Sequence, residues 1–221
     1  MGTSADEAEV REHIAAEREE LAELLEGLPA EAWDEPSLCA GWRVREVVAH
    51  MTMPFHFSTG RFLKEMVRAR GDFNRMADRC ARSDAEKWPP DEFVAMLRKN
   101  ARHPWKPPGG GFHGALSHDV IHGLDITVAL GVDRRVPEER LRLVLEGSDS
   151  PRSRRFFGTD LDGIRLQADD MDWSSGSGSP LTGHAQDLLL VICGRRLPGG
   201  RLHGEPSVRF TAVGAARPGP W

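Results

Sequence analysis

Residues 6–28 place apolar side chains at Val10, Ile14, Leu21, Leu25 and Leu28, with glutamate and arginine filling the opposite positions. That recurrence is an amphipathic helix with one face to bury, and such a face must find partner helices or a sheet. "GLPAEAWDEPSLCAGW" breaks the period with Gly27, Pro29 and Pro36. A second helix is expected from near Trp42, in "WRVREVVAHM". Val44, Val47, Val48 and Met51 form its buried side, and Pro54 kinks or ends it. Helical character returns over 58–70. "PPDEFVAMLRKNA" starts another helix, with Pro90 and acidic residues in its first turn. The Pro/Gly loop over 103–111 then leads into the helix that carries "SHDVIHGLDI" (117–126). Four helices in the first 130 residues, with no convincing strand, predict an antiparallel bundle.

The pattern changes near residue 132. "VPEERLRLVLEG" reads as a short helix, and "DGIRLQADDMDW" alternates as a strand with Ile164, Leu166 and Ala168 on one face. "SSGSGSP" reads as a flexible turn, "LTGHAQDLLLVICG" as a helix ending at Gly194, and "PSVRFTAV" as a final strand. The expected class is therefore α + α/β: a helical bundle over 1–135, then a small α/β domain over 136–221.

Composition narrows the partners. The chain is 39% hydrophobic and 29% charged, with a formal net charge of −5. Its arginines are dispersed and its first helix is rich in glutamate, so nucleic acid is not an expected partner. No run reaches the roughly 20 apolar residues of a membrane span, and "MGTSADEAEVREH" has no apolar signal core. We expect a cytoplasmic protein, monomer or homodimer, acting on small molecules. Cys39, Cys80 and Cys193 are widely spaced, without C-x-x-C, which argues against a disulfide framework or a thiolate zinc site. Arginine outnumbers lysine 25 to 4 and tyrosine is absent, the mark of a GC-rich genome.

His118 and His122 stand four apart, hence on one helix face, in a stripe with Ala115, Asp125 and Ala129. Such a pair either faces solvent or holds a metal, and a metal needs at least a third ligand. His50, on the helix of Val47 and Val48, is the best candidate; alone, it would read as a core-edge histidine. Asp125 fits equally a helix-surface acid and a carboxylate orienting a ligating histidine. "HDVIH" also resembles the zincin H-E-x-x-H, but aspartate is a methylene short and no downstream ligand motif follows. His56, His103 and His113 either line the mouth of a site or play no part; His13, His184 and His203 read as structural or surface positions.

"AWDEPSLCAGWRVREVVAHM" (32–51) resembles the signature of the mycothiol-dependent maleylpyruvate isomerase family, with Trp33, Pro36, Cys39, Gly41, Trp42 and His50 in place. "LQADDMDWSSGSGSPLTGHAQDLLLVICGRRL" (166–197) is similar to that family's small C-terminal domain. The resemblance implies a DinB-like metal-binding four-helix bundle followed by a sterol-carrier-like α/β domain. It implies His50, His118 and His122 as ligands of a divalent metal, zinc foremost, and mycothiol as the thiol cofactor. It also implies a C-terminal arginine for an anionic group of thiol or substrate. "CGRRL" offers Arg195 and Arg196, of which Arg196 is preferred; both also fit charges complementing a helix C-terminus. Cys39 is assigned a packing role.

One departure stands out. The first member of the later-helix pair is glutamate in the maleylpyruvate isomerases proper, and here it is His118. Three neutral imidazoles leave a divalent ion its full charge, a stronger Lewis acid and thiolate trap. Scaffold and metal therefore carry over better than the particular isomerisation. A metal-bound thiolate attacking an electrophilic carbon gives cis–trans isomerisation by addition, rotation and elimination, or S-transfer if it stops earlier. The alternatives are a metal-dependent hydrolase or other biosynthetic metalloenzyme without a thiol, and a non-catalytic small-molecule binding protein.

Overall fold

The computed structural model describes residues 4–212, which divide into two compact units, Met1–His122 and Gly123–Trp221. The first is helical. Helix α1 (Ser4–Glu26) buries Val10, Ile14, Leu21, Ala22 and Leu25, as its apolar spacing requires. It packs on α5 (Pro90–Lys99), which answers with Phe93, Val94 and Leu97. Between them lie a 3-10 turn (Ala30–Asp34), α2 (Val44–His56), α3 (Thr59–Arg68) and α4 (Phe73–Lys87). Helix α2 packs against both α4 and α5 and buries Val44, Val47, Val48 and Met51. Helix α6 (Gly111–Thr127) contains the point of division between the units.

The helix count differs from the four expected, because six α-helices precede residue 128 among the described residues. Residues 73–87 carried no strong apolar stripe in the sequence. Helix α4 buries mainly small or polar side chains, Ala77, Cys80, Ala81, Asp84 and Ala85, with Met76 as its one large apolar contact. Pro54 neither ends α2 nor stops the chain there: the helix runs on to His56, and Phe57 still donates to the Met53 carbonyl at 3.1 Å. A proline in the last turn deletes one hydrogen bond only, a loss that this buried helix tolerates.

The second unit is α/β, and with the helical first unit it gives the expected α + α/β class. Helices α7 (Glu138–Ser148) and α8 (Pro151–Phe157) precede a sheet of β1 (Ile164–Ala168), β2 (Ser174–Gly176), β3 (Ser179–Gly183) and β4 (Leu202–His203). The strand order is β2-β1-β3-β4, with β1 parallel to β3 and both outer pairs antiparallel. Helix α9 (Ala185–Ile192), buried at every position, packs on β1, β3 and α7.

Three local readings are corrected. "SSGSGSP" is largely strand, forming β2 and the start of β3. Its Gly178 (φ 120°) passes so close to the Gly163 carbonyl that a Cβ would lie 2.1 Å from that oxygen, so the glycines serve a close backbone approach. "LTG" ends β3, where Leu181 pairs with Leu166, and α9 starts only at Ala185. "PSVRFTAV" forms a short helix, α10 (Ser207–Phe210), and only Thr211 bridges to Leu197. Val208 is exposed and Phe210 buried, so the alternation had no strand edge to pair with; Val213 lies outside the described residues. No helix among the described residues is long and apolar enough to cross a membrane.

The core makes two expectations measurable. Leu21→Ala removes a fully buried side chain and should lower unfolding free energy by about 2–5 kcal/mol. Leu63→Ala, at a position 58% exposed, should stay within about 0.5 kcal/mol; denaturant midpoints compare the two. Burial pushes the Cys193 thiol up to about 12 and raises that of buried Cys80. Maleimide at pH 8 should therefore label the native protein at half-buried Cys39 alone, and all three cysteines in denaturant.

Candidate metal centre

The turn before α2 is a small hydrogen-bonded hairpin. Pro36 bridges to Arg43, Ser37 N–H and Oγ donate to the Trp42 carbonyl at 2.9 and 2.8 Å, and Trp42 N–H donates to the Cys39 carbonyl at 3.0 Å. Gly41 sits at φ 77°, a left-handed conformation that glycine adopts without strain. Helix α2 then starts with the buried Glu46 carboxylate accepting the Arg43 backbone N–H at 2.8 Å. The "PSLCAGW" run thus fixes where Cys39 and Trp42 stand relative to the helix that bears His50. The Trp42 indole donates to Asp78 of α4 at 2.7 Å and stands 5.3 Å from the His50 ring.

His50, His118 and His122 come together: their ligand nitrogens lie within 4.8 Å of one another, and all three are half-buried. His50 Nε2 faces His118 Nε2 at 3.2 Å, and the rings of His118 and His122 meet edge to face at 4.8 Å. Nitrogens about 2.0–2.1 Å from a tetrahedral zinc stand about 3.3 Å apart, so the His50–His118 spacing is that of two ligands sharing one ion. Cys39 Sγ lies 3.7 Å from His122 Nδ1, which gives the cysteine a polar neighbour beyond the packing role expected of it. The Trp105 ring meets that of His118 edge to face at 5.1 Å.

His118 is oriented by its neighbour in the chain. Its Nδ1 lies 2.9 Å from Asp119 Oδ1, and Asp119 Oδ2 accepts Arg18 Nε at 2.6 Å. Burial pushes the Asp119 carboxyl up, but the His118 hydrogen bond and the Arg18 charge outweigh it and hold the group below the usual carboxylate range. An ionised carboxylate only accepts, so His118 Nδ1 carries the proton and Nε2 presents its lone pair to His50. That is the tautomer a metal ligand needs, and three imidazole nitrogens fit a divalent ion of the zinc type. Asp119 was read from the sequence only as a zincin-like acid; nothing there linked it to Arg18, 101 positions earlier.

Asp125 is fully buried, and its carboxylate takes Arg195 Nε and Nη2 at 2.7 and 2.9 Å. Arg195 is thus held bidentately within the second unit, while Arg196 is exposed. The remaining histidines of the first unit stay out of the cluster. His56 packs on Trp88 and lies 3.5 Å from buried Asp84, and burial lowers its pKa against the pull of that carboxylate. His103 Nδ1 accepts the Trp105 N–H at 3.2 Å, and His113 is exposed. His184 lies 3.2 Å from carboxylate oxygens of both Asp169 and Asp170.

Residues 14–104 match the family model described as Mycothiol maleylpyruvate isomerase N-terminal domain. The crystal structure of the mycothiol-dependent maleylpyruvate isomerase is similar, with TM-score 0.53 at 14% identity over 94% of this chain and 97% of that one. A histidine-to-alanine mutant of that enzyme matches with the same score and coverage at 13% identity. At such identities the likeness is one of fold. Among curated proteins no sequence matches. The matched model ends before α6, so it includes His50 but neither His118 nor His122. Over residues 14–104, then, the chain is similar to the N-terminal domain of the mycothiol maleylpyruvate isomerase family.

Proposed function

We propose that the chain is a divalent-metal- and mycothiol-dependent enzyme, a cis–trans isomerase or thiol S-transferase acting on an electrophilic small molecule. The observation that carries this reading is the convergence of His50 from α2 with His118 and His122 from α6, in a chain whose residues 14–104 match the mycothiol maleylpyruvate isomerase N-terminal domain. We take residues 1–135 as the metal-binding domain and 136–221 as the C-terminal domain. The three imidazoles are the ligands, and zinc suits their number and spacing. A divalent ion held there supplies Lewis acidity that turns a coordinated thiol into its nucleophilic thiolate at neutral pH.

The remaining roles belong to the chain. His118, locked by Asp119, and His50, packed against Trp42, hold their rings without needing the ion to organise them. Three neutral donors would leave the charge of a bound ion undiminished, which would favour an anionic partner such as a thiolate. Arg196, exposed and not committed to Asp125, is the cation we assign to a carboxylate of thiol or substrate; Asp125 positions Arg195 beside it in sequence.

Elemental analysis of protein purified without a histidine tag should find about one divalent ion per chain, lost in His122→Ala. Conversion of maleylpyruvate, followed by absorbance, should then require added mycothiol. Arg196→Ala should raise KM about 10–100-fold, the loss of one charge-assisted hydrogen bond, with kcat little changed. Metal without thiol dependence would turn the reading to a metal-dependent hydrolase. No metal, even after reconstitution, would leave a small-molecule binding protein.

A further inference from the structure

Arg18 and Asp119 form a deeply buried pair of opposite charges beside His118, 1% and 2% exposed. Arg18 is held from several directions. Its Nη1 donates to the carbonyls of Asn100, Ala101 and His103 at 3.1, 3.3 and 3.1 Å, and its guanidinium lies 5.0 Å from the Phe55 ring. With Nη1 committed to the 100–103 carbonyls, Nε is directed at Asp119 Oδ2. The two carboxylate oxygens are then used separately, Oδ2 for Arg18 and Oδ1 for His118.

Adjacent residues on a helix point about 100° apart and do not ordinarily face each other. The His118–Asp119 contact therefore needs something to hold the aspartate rotamer, and Arg18 occupies the place from which that is done. Stability alone does not account for the arrangement, because a buried ion pair is commonly no better than apolar side chains of similar volume. What it provides that an apolar pair cannot is an acceptor fixed in direction against His118 Nδ1.

We propose that Arg18 and Asp119 are positioning residues of the histidine cluster: Arg18 sets the Asp119 rotamer, and Asp119 holds His118 in the Nδ1-protonated form with its Nε2 lone pair directed at His50. The consequence for metal affinity rests on the metal reading above; the tautomer itself does not. The two residues act through His118 and touch neither metal nor substrate.

The test uses the full chain with two variants, Asp119→Asn and the apolar double variant Arg18→Met with Asp119→Leu, the latter chosen because it leaves no unpaired buried charge. The first readout is the imidazole nitrogen shifts of His118 in 15N-labelled, metal-free protein. Wild type is expected as the Nδ1–H tautomer, and variants that retain the helical circular dichroism should shift toward Nε2–H or a mixture. The second readout is the affinity for zinc ion alone, by competition with a chromophoric chelator. It should fall about 10–100-fold in the same variants. An Nε2–H tautomer in the wild type, or variants that keep the wild-type tautomer and bind zinc as tightly, overturns the proposal. A wild type that shows the expected tautomer, loses it in the variants and yet binds no zinc supports the positioning role and defeats the metal reading instead.

Discussion

The Asp119 carboxylate lies inside the helical unit with 2% of the residue exposed, and a charge so placed needs a partner at contact distance. Arg18, itself 1% exposed, is that partner. Satisfying it draws in the Asn100, Ala101 and His103 carbonyls, so one guanidinium ties α1, the end of α5 and α6 together. One residue away, the same carboxylate fixes His118. Register between helices and orientation of a candidate ligand thus depend on a single buried hydrogen-bonded pair.

The hairpin before α2 does for His50 what the ion pair does for His118. The Ser37 and Trp42 hydrogen bonds and the left-handed Gly41 set the place of Trp42, whose indole is anchored on Asp78 and whose face lies by His50. The turn also brings Cys39 to the Nδ1 side of His122. Each histidine of the cluster therefore has a protein neighbour that limits its ring before any ion binds. Such pre-organisation reduces the ordering cost of binding.

In the C-terminal unit the same economy of buried charge recurs. Asp125, fully buried, accepts two guanidinium nitrogens of Arg195, and Asp187, fully buried on α9, pairs with Arg201. Burial pushes the Asp187 carboxyl up against the pull of Arg201. Both acids sit among apolar helices and are kept there by arginines that reach in from loops. A chain with 25 arginines and 4 lysines is well suited to this, since a planar guanidinium donates in two parallel directions where an ammonium does not.

The helices with a strong apolar stripe, α1, α2 and α5, were legible from periodicity, and the i,i+4 spacing placed His118 and His122 on one face before any coordinates. The motif over 32–51 marked His50. These are local properties: helical period, helix breakers and a short signature are written within a few turns of chain. Helix α4 escaped because small residues bury well without raising the apolar pattern. The strands of "SSGSGSP" and the helix in "PSVRFTAV" escaped because pairing depends on a neighbour that the segment does not contain. For the site, sequence supplied the residue types on each helix, but not that Asp119 would lie against His118 Nδ1. That contact depends on Arg18, 101 positions earlier, and on loop carbonyls that aim it. The distance between helices, and with it the meeting of His50 and His118 at 3.2 Å, was decided only by tertiary packing, because no local rule carries information across it.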